Sequence, residues 1–166
     1  MIAALLLAGA AIPSTPDLGK AEGQCRVNES GPAFLVDVKG LKDRQGRLKL
    51  ELYPANDADF LADDNILIAS GKPFGRVEMP VPTGPVHLCI RAPAPGTYAL
   101  SLLHDRDANR RFALSIDGVG FSGNPRIGLS KPRASAASAT VGSSPTRITI
   151  VVNYRRGLLS FGPVEK

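Results

Sequence analysis

The sequence predicts an all-β domain, an antiparallel two-sheet β-sandwich, and three observations carry that prediction. Short apolar runs alternate with period two, which gives each extended segment one oily face. Breakers separate the runs: 17 Gly and 14 Pro in 166 residues favour strands and turns over a bundle of helices. No segment of useful length carries the 3.6-residue apolar period of an amphipathic helix. Alternation on one face is what antiparallel sheets with a shared dry layer require.

The chain opens on residues 2–12 (IAALLLAGAAI), an uncharged apolar run. It is too short to span a bilayer, which takes about 20 residues. Small residues and then polar, Pro-containing sequence follow, as in a secretory leader with cleavage points between Ala8 and Ala21, although no Lys or Arg precedes the run. Residues 1–24 therefore read as a leader and disordered N-terminal segment, and the protein as periplasmic or secreted. A buried strand is the alternative for this run. Glu22-Gly23-Gln24 lacks the small and aliphatic residues of a lipobox before Cys25.

Two cysteines, Cys25 and Cys89, sit outside any Cys-x-x-Cys and without a set of histidine ligands, which argues against structural zinc. In an oxidising compartment they read as one disulfide tying the pre-strand segment to a central strand; two unpaired thiols are the alternative. Closing a loop of about 60 residues contributes on the order of 4 kcal/mol in the chain-entropy picture.

The body, residues 25–156, reads as strands and turns. Residues 33–39 place Phe34, Val36 and Val38 on one face, and 47–53 place Leu48, Leu50 and Leu52 inward. Asp43-Arg44-Gln45-Gly46 reads as the turn of a hairpin between them. Residues 57–64 suggest one helical turn whose Phe60-Leu61 plugs an end of the core. Strands 74–81 and 86–91 are bracketed by Pro, which suits edges and turns. Pro95-Gly96 reads as a type II turn with Gly96 at positive φ, leading into strand 97–104. Residues 130–139 form a Ser/Ala/Pro linker to a segment at 139–142. The last strand, 146–154, puts Ile148, Ile150, Val152 and Tyr154 on one face, and 157–166 is a tail.

A net charge of +5 and a pI near 9.5 arise from Lys and Arg spread along the chain. No dense basic run or aromatic-basic interleaving is present, so nucleic acid is not an expected partner. An unidentified envelope or extracellular partner and a monomeric state are the expectations. No cofactor is expected.

The order of landmarks resembles a known family. Val38-Lys39-Gly40-Leu41, Leu52-Tyr53, Phe60-Leu61, Pro95-Gly96-Thr97-Tyr98, His104-Asp105 and Gly120-Phe121-Ser122-x-Asn124-Pro125 follow one another as in the bacterial domain of unknown function 2141, a family of small exported proteins. The resemblance covers roughly residues 34–154. It implies a β-sandwich of prealbumin-like or immunoglobulin-like type outside the cytoplasm, and it implies no activity. Members continue His-Asp with an Asn-Gly-Asn-Gly-Lys-like run resembling a short calcium loop. Here Asp105, Asp107 and Asn109 keep the alternating oxygen spacing of such a loop, with Asp117 as a further carboxylate. The sixth position, however, is Arg110 instead of Gly, and the twelfth is Ile116 instead of Glu. One positive charge at ~4 Å opposes a divalent cation by about 2 kcal/mol in a water-like dielectric, and Arg106, Arg110 and Arg111 all lie nearby in sequence. An Asp/Arg loop whose carboxylates cap turn amides is the stronger expectation.

Gly120-Phe121-Ser122-Gly123-Asn124 misses the Gly-x-Ser-x-Gly nucleophile motif at its last position and lacks a strand–elbow–helix setting. Only His87 and His104 could serve as a base, and no catalytic residue is assigned. The expected function is a non-catalytic exported module binding a protein, glycan or small ligand through its 104–125 end. Its candidate contacts are His104, Asp105, Asp107, Asn109, Phe121, Ser122 and Asn124. The alternative is a calcium-like binding or sensing protein built on Asp105, Asp107 and Asn109.

Overall fold

The computed structural model describes residues 16–164; the run 2–12, read as a leader, lies outside the described residues. A four-residue helix, α1 (Lys20–Gly23), precedes the strands β1 (Ala33–Lys39) and β2 (Arg47–Pro54). Helix α2 (Asp64–Ala69) leads to β3 (Gly75–Pro80), β4 (Val86–Arg91), β5 (Gly96–Asp105) and β6 (Gly118–Phe121). A 3-10 turn at Ala134–Ala137 then leads to β7 (Ser138–Val141), β8 (Thr146–Val151), β9 (Asn153–Arg155) and β10 (Phe161–Pro163). No helix among the described residues is long and apolar enough to cross a membrane.

Two sheets face each other. The small one runs β4-β1-β8; the large one runs β10-β9-β6-β5-β2-β3, with β7 paired to the first half of β5 while β6 pairs with its second half. Every pairing is antiparallel except β1 with β8, which is parallel. The all-β sandwich is as the alternation predicts. Phe34, Val36 and Val38 of β1 and Leu88 and Ile90 of β4 meet Leu48, Leu50 and Leu52 of β2 and Leu100 and Leu102 of β5 in one buried cluster. Each such side chain contributes roughly 1.5–3 kcal/mol by leaving water.

Several local expectations are corrected. β1 and β2 are not a hairpin: β1 pairs β4 and β8, β2 pairs β3 and β5, and residues 40–46 arch between the sheets. Gly46 takes φ 72° there, and a Cβ would meet the Asp105 carbonyl oxygen at 2.0 Å, so the arch is pressed on the end of β5. The 57–64 turn is followed by the true helix, α2, whose N-cap Asp63 accepts from the Asn65 amide. Phe60 is fully buried, but Leu61 is not. β4, which carries Cys89, is an edge strand and not a central one. The Cys25–Cys89 disulfide forms, with Cα atoms 5.9 Å apart, beside an isolated bridge of Gln24 to Ile90.

Gly96 does not adopt positive φ; it opens β5 directly. What the Pro-Gly-x-Tyr sequence builds instead is a tyrosine corner: the Tyr98 hydroxyl donates to the Ala94 carbonyl at 2.9 Å. The last strand is two strands, because the chain leaves the small sheet at Val152 and continues as β9 in the large one. Its inward face survives the switch, with Ile150, Val152 and Tyr154 all buried. The segment expected to be a tail carries β10, antiparallel to β9.

The outer face of the large sheet is also covered. Tyr53, Ala99 and Phe121 point there and pack with Phe60, Leu67 and Phe74, and with Ala134 and Ala137 of the stretch read as a linker, into a second apolar cluster. Aromatic edges meet ring faces throughout it, as in Tyr53–Phe60 at 5.7 Å and Phe60–Phe121 at 5.8 Å. This second layer positions the site.

Candidate functional site

His104 lies on β5 with its ring in the core and no exposed surface. Its Nε2 is 2.8 Å from the Gln45 carbonyl oxygen. A carbonyl only accepts, so Nε2 carries the proton and Nδ1 is the acceptor. The Tyr154 hydroxyl, 2.6 Å away, donates to Nδ1, and the Lys42 amide donates to Tyr154 Oη at 3.0 Å. Burial pushes the His104 pKa down and the Tyr154 pKa up to about 12. Both are therefore neutral near pH 7, and neither ring nitrogen is free to bind a ligand or take a proton. Through Gln45 directly and Lys42 by way of Tyr154, His104 pins the 40–46 arch to β5. Gly118 makes room for this, because a Cβ there would meet the Tyr154 ring at 2.4 Å.

The next residue faces the other way. Asp105, 3% exposed, accepts from the amides of Asn109 (3.2 Å) and Arg110 (2.8 Å). Asp117, 1% exposed, accepts from the amides of Arg106 (2.9 Å) and Ala113 (2.8 Å). The exposed Asp107 accepts from the amide and the side chain of Asn109, and Asn109 Oδ1 accepts from the Arg111 amide. Oxygens of Asp105, Asp107 and Asp117 come within 4.8 Å of one another, but all six already accept hydrogen bonds. Burial raises the Asp105 pKa, and the nearby carboxylates add to it. The caps hold Ala108 and Arg110 at φ 55° and 64°, a left-handed conformation that costs roughly 1–2 kcal/mol per residue.

The amide caps are as the sequence suggests, but the arginines do not complete them. Arg106 turns away to ion-pair with Asp43 and to donate to the Ile116 carbonyl at 2.9 Å. That ion pair lowers the Asp43 pKa and raises that of Arg106. Arg110 approaches Glu78 at 3.9 Å.

Of the remaining candidates, Ser122 is 1% exposed, with its amide donating to the Leu100 carbonyl at 3.2 Å. Asn124 acts on a sheet edge: its amide nitrogen donates to the Thr149 carbonyl (2.9 Å) and its oxygen accepts from the Val151 amide (2.8 Å). One carboxamide thus occupies the free side of β8. His104, Ser122 and Asn124 do not converge on a common space.

Phe121 does reach one. A cleft of about 400 Å³ lies on the outer face of the large sheet. Its floor is two cross-strand rows fixed by register, Lys49–Leu103–Val119 and Glu51–Ser101–Phe121. One wall is the loop before β6, through Phe112 and Leu114, with Phe161 of β10; the other is Leu61 and residues 127–132. Phe112 is 48% exposed, Leu114 51% and Leu129 70%. The polar groups in the floor are committed elsewhere: Glu51 holds Arg76 at 2.8 Å and Lys49 at 3.2 Å and accepts from the Tyr53 hydroxyl at 2.7 Å, while Arg76 also binds Asp64 at 2.8 Å.

Strand alternation reads only the face turned to the partner sheet, so the cleft went unseen in the sequence. The signal present was Ala99, Ser101 and Leu103 where a solvated face would carry charge, and Phe112, Leu114 and Ile116 within the loop that follows Asp105.

A family model described as an uncharacterised protein conserved in bacteria (DUF2141) matches residues 36–149. The chain belongs to this family. No curated protein and no solved structure matches it. The matched span of this DUF2141 chain begins within β1 and ends within β8, so it holds the cleft floor, the Asp105 loop and His104 with Gln45, whereas Tyr154 lies just beyond it.

Proposed function

We propose that this DUF2141 protein is an exported, non-catalytic module that binds the apolar part of a small ligand in the cleft over β2, β5 and β6. The observation that carries the reading is the cleft itself. It falls in the size range of small-molecule sites, about 300–1,000 Å³, and large apolar side chains stand exposed on its walls and not in the core. The non-catalytic reading is supported by His104, whose two ring nitrogens are both engaged. Export is supported by the disulfide and the apolar run at residues 2–12.

N-phenyl-1-naphthylamine, a neutral dye that brightens in apolar surroundings, tests the reading. The expected result is saturable binding, weakened about tenfold by Phe112→Ser with Leu114→Ser, a loss of roughly 1.4 kcal/mol of apolar contact. Asp107→Asn, outside the cleft lining, leaves the affinity unchanged. Absence of saturable binding, or equal affinity in the double variant, refutes it.

A further inference from the structure

Resting on that reading, we infer that the cleft takes a monomeric single-chain amphiphile with an anionic head group, its tail in the trough and its head at Lys131. The lining residues run from β2 across β5 and β6 to β10. At the ~4.8 Å spacing of strands, that is four intervals, or about 19 Å. A volume of about 400 Å³ drawn out over such a length makes an elongated trough, which suits an extended hydrocarbon chain better than a single sugar ring. The lining is mostly aliphatic and aromatic, and most of a glycan's hydroxyls would be stripped of water there without partners.

The charge at the cleft is one-sided. Glu51 matches Lys49, and Asp64 matches Arg76. Lys131 donates from Nζ to the carbonyls of Asp57 (2.9 Å) and Phe60 (2.8 Å), which anchor the ammonium at the rim without neutralising it. An ammonium has three donors, so one remains for a ligand. Among the described residues no carboxylate pairs with it. An apolar trough with an anchored, uncompensated cation at its lip complements a carboxylate-headed chain.

The experiment compares laurate and dodecanol, equal in chain length and different in head charge, as competitors for N-phenyl-1-naphthylamine at mildly alkaline pH. Laurate is expected to displace the dye about fivefold better, the factor an exposed ion pair supplies. Lys131→Met should equalise the two, and Lys131→Arg should keep the preference. High salt should shrink the preference in the wild-type protein, a leg that needs no variant to fold. Equal competition by the two ligands, a preference that survives Lys131→Met, or one indifferent to salt overturns the inference while the dye still reports a working cleft. Failure of the dye itself to bind removes both readings.

Discussion

Replacing Tyr154 by Phe deletes one oxygen and leaves the ring packed between Gly118 and His104. That oxygen donates to His104 Nδ1 and accepts from the Lys42 amide. Lys42 is at the surface, so water can take over its amide, but the His104 ring has no exposed surface and its Nδ1 is left without a partner. An orphaned buried acceptor costs about 1–3 kcal/mol. For a domain of this size each kcal/mol moves the midpoint by roughly 2–4 °C, so a loss near 2 kcal/mol lowers Tm by about 4–8 °C.

The same contact sets a pH dependence with a definite sign. Burial lowers the His104 pKa in the fold, so near the ordinary histidine pKa of about 6.5 the unfolded chain binds the proton and the folded one does not. Stability is full above that pH and falls below it, by at most about 1.4 kcal/mol per unit. Asp105 works in the opposite direction, because its raised pKa makes the folded state bind its proton first as pH falls further. Thermal melts of both proteins from neutral to mildly acidic pH, with the histidine ring signals followed by NMR, check the argument. A Tyr154→Phe midpoint within about 1 °C of wild type, or a His104 ring that titrates near 6.5 while folded, refutes it.

Removal of the disulfide by Cys25→Ser with Cys89→Ser should cost about 4 kcal/mol, given a sequence separation of 64. Reductant should bring the wild-type melt down to that of the variant and leave the variant where it is. Asp117→Ala removes the buried carboxylate that caps the Arg106 and Ala113 amides and should lose about 2–4 kcal/mol in urea titrations, whereas Asp107→Ala, at the surface, should lose under about 1 kcal/mol. Calcium should move neither melt. A calcium-dependent rise in Tm abolished by Asp107→Ala would assign the carboxylates to a cation instead.

Period-two alternation made the sandwich legible because inward leucines and valines obey one rule whatever their partner strand. It located β1, β2, β4 and β5 to within a residue or two. It could not report which sheet each strand joins: the arch at residues 40–46 and the switch at Val152 keep the same inward face on both sides. α2 was missed because six residues, DNILIA, are too few to show a helical period, and Asp63 as N-cap was the usable sign. At the site, the amide-capping role of Asp105 and Asp107 followed from turn chemistry. The neutral, fully engaged state of His104 did not, because it depends on Gln45 and Tyr154, 59 and 50 residues away along the chain. Phe121 stood among the candidate contacts, yet the cleft above it needs loops from four parts of the chain to meet, which no single local pattern encodes.

The passage of the chain from β8 into β9 has a mechanical consequence. On one flank a single run of residues belongs to both layers, and on the other α1 and Cys25 strap the rim of β3 to Cys89. Neither layer can therefore peel away while its mate stays folded. The two should melt as one calorimetric unit, with van't Hoff and measured enthalpies in agreement. A ligand seated on the outside of the large layer would then steady the whole body, not merely the wall it touches.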